Sequence, residues 1–408
     1  MTTFFPARRR GFACRLVLAT SMAACPFATS AQDTEAPPAA RPASAGSSAP
    51  GARVATPVPK HAPKARRKAK PAARDDTDAD TFVYGHRADV MAYAQQVAAE
   101  RGLDPGWVVD QLARARYRPS VARLVMPPPV DKPKNWAAYR ARFLDPQHLQ
   151  AGEAWWTGHA QELDAAEARY GVPPELVAAI LGVETFWGRI TGNYRVLDAL
   201  ATLAFDFPIG RSDRSDFYRS ELRAYLTWCA LEGRDADSVR GSYAGAIGWP
   251  QFMPSSILRY AADFDDDGRV DLASGGADVI GSVANFLFQQ GWQRAVPVRF
   301  DVLPPIDATA RAQLLGPDIV PSFTAAEMTA LGAELPQAAH DYAGKLALVR
   351  LENGREPASY VAGTFNFYVV TRYNWSAYYA MAVTELASAL RLRHAGTQAS
   401  TTDRPPQP

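Results

Sequence analysis

The chain has 408 residues, 47% of them hydrophobic, and a formal net charge of +2, which is ample for one large core or two smaller ones. The charge divides unevenly, +4 over residues 1–31 and +3 over 32–80, so the remainder carries −5; a mildly acidic body argues against nucleic acid as the main partner. Cys14 and Cys25 lie near the N-terminus and leave Cys229 without a companion thiol. That excludes a disulfide framework, a dithiol redox centre or a thiolate zinc site, and a lone Cys in an apolar helical stretch reads as buried and inert.

Arg8, Arg9, Arg10 and Arg15 precede a short apolar run, Leu16 to Ala24. The run is too short for a permanent membrane span, and the pattern reads as an export signal over 1–31. Two endings fit it. Met22-Ala23-Ala24-Cys25 resembles a bacterial lipobox, making Cys25 the lipidated first residue of an outer-membrane-anchored protein; cleavage after Ala31 instead releases a soluble periplasmic one. The position of Cys25 at the end of the apolar run favours the first. Residues 32–80 are rich in Ala, Pro, Ser and Gly and read as a disordered tether. Within it, Lys60 to Arg74 holds seven Lys and Arg and no acid, a solvated spacer or a contact for an anionic membrane surface or wall polymer.

From Phe82 onward the pattern is mostly helical. His86 to Gly102 reads as one helix ending at a Gly, and Asp104-Pro105 supplies a cap and first-turn proline for the next. Pro127-Pro128-Pro129 marks a loop. Helical patterns run over 146–170, 173–191, 215–232, 256–261 and 277–290. Strand character appears late, in 345–351 and 360–370 around the turn signal Asn353-Gly354. A last helix spans about Ser376 to Arg393, followed by a disordered tail, 394–408. No internal repeat and no later membrane-spanning run is seen. The expected class is mainly α (α+β), folded over 81–393, with a small C-terminal β element.

One carboxylate stands out. On a helix over 173–187, Leu176, Ile180, Val183 and Trp187 form an apolar stripe, with Val177 beyond it, and Glu184 projects among them; Glu175 points the other way. Apolar neighbours disfavour the charged form, so Glu184 is expected to hold a proton near neutral pH, as a general acid must. The competing reading is a structural ion pair with Arg189.

Two further stretches carry chemistry. In Gly241 to Ser255, small residues alternate with aromatics and end in Gln251-Phe252-Met253-Pro254. Backbone can approach a ligand there, and Gln beside aromatics suits a sugar; an ordinary Gly-rich loop over core aromatics is the alternative. Asp263-Phe264-Asp265-Asp266-Asp267-Gly268-Arg269-Val270 matches the start of an EF-hand loop, with Asp263, Asp265 and Asp267 as ligands and the Arg269 carbonyl following. Ser274 occupies position twelve, where the bidentate Glu belongs, so Asp278 at the start of the next helix, ahead of Asp271, is the replacement. The competing reading is a solvated acidic turn.

In this order, Gly182-Val183-Glu184-Thr185 with Trp187-Gly188-Arg189, Leu197 to Leu203, Gly241 to Ser256, Ile280 to Asn285, Thr371-Arg372-Tyr373-Asn374 and Tyr379 to Val383 resemble the lytic murein transglycosylase B family, glycoside hydrolase family 103. The resemblance covers residues 82–393. It implies a lysozyme-like core with a flanking α domain, a structural Ca2+ in the EF-hand-like loop, no organic cofactor, and peptidoglycan glycan strands as partner, with cell-wall synthesis proteins as companions. It further implies Glu184 as the single acid/base, Ser242, Gln251, Tyr373, Asn374 and Tyr139 as groove residues, and Phe286 at a groove position where relatives can have Tyr. Arg211 and Arg214, in the stretch Pro208 to Asp216, stand to meet the acidic peptide stems of the wall or water. The implied reaction cleaves the MurNAc-β-1,4-GlcNAc bond and leaves a 1,6-anhydro end. A hydrolytic muramidase and a non-catalytic, calcium-stabilised wall-binding protein remain as rivals.

Overall fold

The computed structural model describes residues 81–126, 133–210 and 212–402. The export signal, the tether, Pro127-Pro128-Pro129 and Arg211 lie outside the described residues.

Helix α1 (Ala88–Arg101) stops where Gly102 takes φ 63° and supplies a left-handed cap. Asp104 accepts from Trp107 N to open α2 (Pro105–Ala113) behind its first-turn proline. Helices α3 (Pro119–Leu124) and α4 (Trp136–Arg140) are short. The helical pattern over 146–170 is two helices, α5 (Pro146–Gly158) and α6 (Ala160–Tyr170), separated at His159, which leaves the helical region and turns its ring to Trp155 O at 2.9 Å.

Helix α7 (Pro174–Thr185) is buried except at Glu175 and Glu184, as an apolar helix without a polar face must be. It ends earlier than the periodicity suggests. Phe186 and Trp187 both adopt φ 51° and Gly188 φ 78°, so Trp187 lies beyond the helix and folds back, its Nε1 donating to Ala178 O at 3.0 Å. Helix α8 (Val196–Phe205) pairs with α9 (Ser215–Leu231), followed by α10 (Pro254–Tyr260) and α11 (Ala277–Gln289). Three short helices, α12 (Ala308–Leu315), α13 (Ala325–Ala330) and α14 (Gln337–His340), precede α15 (Phe365–Thr371) and the long α16 (Ala377–Thr402). The last helix continues past Arg393, so residues expected in a tail are helical as far as Thr402.

The β content is small. A two-stranded ladder joins β1 (Tyr194–Arg195) to β2 (Arg240–Gly241) with Tyr194 opposite Gly241. A three-stranded antiparallel sheet has β3 (Arg299–Asp301), β4 (Ala347–Asn353) and β5 (Glu356–Gly363) in the order β3-β5-β4. The strand expected through Val370 ends at Gly363. Thr364 Oγ1 accepts from Asn366 N, and the buried Asn366 amide donates to Gln293 O and Val296 O, both at 2.8 Å. That cap converts the rest of the apolar run into α15.

The described residues form two cores. The larger unites α1 to α11, α15 and α16. The smaller lies under the sheet, with Phe300, Leu314, Met328, Leu346 and Leu348 at its centre. Close approaches hold α7 in place: a Cβ on Gly182 or Gly152 would sit 2.5 or 2.6 Å from the Trp187 ring, with Leu386 and Leu390 of α16 beside it. Among the described residues, no helix is long and apolar enough to cross a membrane.

Candidate active site

Glu184 is the penultimate residue of α7 and keeps partial access to solvent. The buried Tyr379 of α16 donates its hydroxyl to Glu184 Oε1 at 2.7 Å. Loss of hydration pushes the Glu184 carboxyl up to about 7, against the weaker opposing pull of the Tyr379 hydrogen bond. Arg189 does not neutralise it; its guanidinium lies over the Phe186 ring, 4.6 Å from the centroid. No other carboxylate among the described residues acts on Glu184.

Three tyrosines sense this group. Burial first, and then the Glu184 charge, hold the Tyr373 and Tyr379 hydroxyls well above their ordinary value. Tyr139 is pushed up to about 12 by burial, with Arg142 pulling down and Glu184 up. Tyr373 stacks on Tyr379, with centroids 6.2 Å apart and planes at 13°. Tyr379 was not singled out from the sequence as a site residue; its signal is a hydroxyl carried into the otherwise apolar stretch that continues through Val383.

The Gly241–Ser255 loop is clamped against the end of α7. Thr185 Oγ1 donates to Trp249 O at 3.1 Å and accepts from Gly188 N at 3.0 Å. A Cβ at Gly188 would sit 2.0 Å from the Trp249 ring, and one at Gly192 would sit 2.2 Å from Gly241 O. Both are sites where glycine is required by contact as well as by positive φ. Ser242 Oγ accepts from Ala246 N at 3.0 Å. Gln251, at φ 49°, donates its amide to Gly248 O at 2.8 Å and Thr191 O at 3.1 Å. On the opposite side the Tyr373 hydroxyl donates to Pro250 O at 2.6 Å. The loop therefore bridges the Glu184 turn and the turn that carries Tyr373 and Asn374. Phe286 is placed differently from the expectation of a groove position. It is 6% exposed and stands behind Tyr373, 4.8 Å from both the Tyr373 and Tyr260 rings, because α11 turns this apolar residue to the core. Arg214 lies over the Phe217 ring at 4.6 Å.

In the acidic loop, oxygens of Asp263, Asp265 and Asp278 lie within 4.8 Å of one another. Asp263 accepts from Asp267 N at 3.1 Å and from Gly268 N at 2.9 Å, with Gly268 at φ 87° making the turn. Asp267 does not join the cluster and instead accepts from Arg269 N at 2.8 Å. Asp278 is buried and takes Phe264 N and Asp271 N, both at 2.7 Å. The Asp271 carboxylate is occupied by Ala273 N and the Ser274 hydroxyl, whereas Asp278 has an oxygen in the cluster. At the exposed Asp265, loss of hydration beside its neighbours raises the pKa, followed by the Asp278 charge and then Asp267 and Asp263. Three converging oxygens that repel one another fit a hard divalent cation. Elsewhere, Cys229 is buried, its thiol pushed up to about 12 by burial, which leaves it inert.

A partly buried carboxyl at the end of an apolar helix, hydrogen-bonded by a tyrosine of another helix in a mainly helical body, defines the class. Residues 85–388 match the family model for the transglycosylase SLT domain; the chain belongs to this lysozyme-like family and is a lytic murein transglycosylase. Membrane-bound lytic murein transglycosylase B of Escherichia coli (strain K12) is 34% identical over 319 residues, covering 76% of this chain and 84% of that protein. The soluble lytic transglycosylase SltB1 of Pseudomonas aeruginosa is 38% identical with a TM-score of 0.68, over 75% of this chain and 99% of the other. Slt35 of Escherichia coli, solved in complex with calcium, is 33% identical with a TM-score of 0.65, over 76% and 95%.

Proposed function

We propose that Glu184 is the single acid/base of this transglycosylase, acting at the MurNAc-β-1,4-GlcNAc bond. One observation carries the assignment: a carboxyl raised to about 7 by loss of hydration and hydrogen-bonded by Tyr379, with no second carboxylate among the described residues acting on it. Near neutral pH such a group exists in both protonation states, which suits a residue that must give and then retrieve a proton. In the first step Glu184 donates its proton to the glycosidic oxygen while the bond to the muramoyl anomeric carbon breaks, leaving an oxocarbenium-like centre. The resulting carboxylate, steadied by the Tyr379 hydroxyl, then takes the proton of the muramoyl C6 hydroxyl. That oxygen attacks the anomeric carbon and closes a 1,6-anhydro ring. Atoms balance without net water, and Glu184 ends as it began.

Ser242, Gln251, Tyr139, Tyr373 and Asn374 line the groove that holds the glycan strand. Asp263, Asp265 and Asp278 hold Ca2+, which braces the loop against α11 and takes no part in the reaction. The N-terminal signal supports export to the periplasm, with Cys25 as a lipid anchor to the outer membrane and residues 32–80 as the tether. Cell-wall synthesis proteins are the natural companions of such a cutter.

The test is mass spectrometry of muropeptides released from peptidoglycan by the protein and by Glu184→Gln. Products lighter by one water than hydrolytic muropeptides, absent with the variant, establish the role. Reducing-end products would transfer the reading to a hydrolytic muramidase. Wall binding without products from either protein would favour a binding protein.

A further inference from the structure

A cavity of about 310 Å³ opens between α2 and the segment that follows α9, at the small end of the range for ligand sites. None of the residues lining it belongs to α7, to the Gly241–Ser255 loop or to the turn of Tyr373. Leu103 and the partly buried Trp107 give it an apolar side. Gln111 also lines it and is 4% exposed. The Gln111 Oε1 accepts from Ala236 N at 3.0 Å, which orients the amide. Its Nε2 meets no acceptor among the described residues, yet it is not sealed from solvent. A nearly buried donor left without a protein partner is offered to whatever fills the cavity.

The rim carries both signs. Asp104 accepts from Trp107 N at 2.6 Å through Oδ1, and its second oxygen forms no bond among the described residues. Asp235 is balanced by Arg114, whose terminal nitrogens lie 3.1 and 3.2 Å from its two oxygens. Arg234 is loosely paired, with Nε 3.9 Å from Glu232. Donors and acceptors therefore surround an aromatic wall with little excess charge. An anion would meet Asp104, and a cation would meet Arg234. A neutral sugar suits every group: its apolar face covers the indole, and its hydroxyls donate to Asp104 and accept from Arg234. An acetamido carbonyl takes the free Gln111 N–H.

We propose that this cavity is a second glycan-binding site, which holds a neutral N-acetylglucosamine unit outside the cleavage groove and keeps the enzyme on the wall between cuts. The inference uses glycan strands as the substrate and does not depend on the role of Glu184.

The probe is chitotriose, titrated into Glu184→Gln protein carrying isotope-labelled tryptophan. The Trp107 indole N–H signal, identified by its loss in Trp107→Phe, is expected to shift on binding. That shift should vanish in Gln111→Glu, which keeps an acceptor for Ala236 N and replaces the free donor. In protein with Glu184 intact, Gln111→Glu and, independently, Arg234→Ser should raise KM on intact sacculi by about tenfold, the scale of one or two lost hydrogen bonds. On a soluble tetrasaccharide, which needs no second hold, kcat/KM should stay that of the parent. Arg234→Ser, at an exposed position, decides the matter if Gln111→Glu does not fold. A Trp107 signal that stays unmoved when chitotriose saturates the groove, or an equal loss on sacculi and tetrasaccharide, overturns the proposal. Failure of the Glu184 reading is distinguishable, since it shows as anhydro products persisting in Glu184→Gln.

Discussion

Glu184 combines a functional demand with a stability cost. Its folded-state pKa of about 7 lies above the ordinary 4.5. Between those values the folded protein holds a proton the unfolded chain has released, so stability falls as pH rises through this window and the effect vanishes below it. Glu184→Gln removes the effect. Its advantage in denaturant stability over the parent is expected to grow from pH 4.5 to 7 and level off at roughly 3 kcal/mol; a pH-independent difference would refute the assignment. Tyr379 acts in the opposite sense, since its hydrogen bond lowers the Glu184 pKa. In Tyr379→Phe the alkaline limb of the pH–rate profile should therefore move to higher pH, with kcat falling about tenfold as the carboxylate loses its donor.

At the scale of elements, the site depends on how α7 ends and what lies over it. The chain leaves the helix directly after Glu184-Thr185, and Trp187 returns to fill the space left by Gly152 and Gly182. Gly182→Ala would place a methyl 2.5 Å from that ring, whose Nε1 is already committed to Ala178 O. Overpacking of this kind costs about 1–3 kcal/mol, measurable as a lower midpoint in urea, and activity should fall with it because Glu184 moves with the turn. The acidic loop is a second device of this kind. Asp278 joins α11 to the loop through Phe264 N and Asp271 N. Chelation should lower the thermal midpoint, and Asp278→Asn should lower it with or without chelator; an unchanged melting curve on chelation would remove calcium from the account.

Across the whole molecule, both described cores are built from residues beginning at Tyr84. A chain starting at residue 81 is therefore expected to melt at the temperature of the longer protein and to cleave soluble glycan fragments at the same rate. Any defect should appear only on intact sacculi, where the basic tether and a lipid anchor would matter. Equal loss on soluble fragments would show that the N-terminal segment contributes to the fold.

Read alone, the sequence determined what short-range chemistry can specify. Helix starts at Asp104-Pro105 and Pro174 follow from proline and capping residues. The acidic loop follows from Asp at alternate positions before Gly268, and Glu184 was visible because a carboxylate on an apolar helix breaks the pattern. Helix α8 was not picked out, since a helix buried on all sides lacks the alternation that periodicity detects. Nor was the change from strand to helix at Thr364, where a buried Asn366 bonded to distant carbonyls outweighs the strand-like run. Tertiary structure alone decided that Glu184 meets Tyr379, 195 positions away, that Arg189 turns to Phe186, and that Phe286 backs Tyr373 without facing the groove. Those outcomes depend on which helices come to lie together, and pKa, stacking and ligand convergence are properties of that assembled environment, which no local pattern contains.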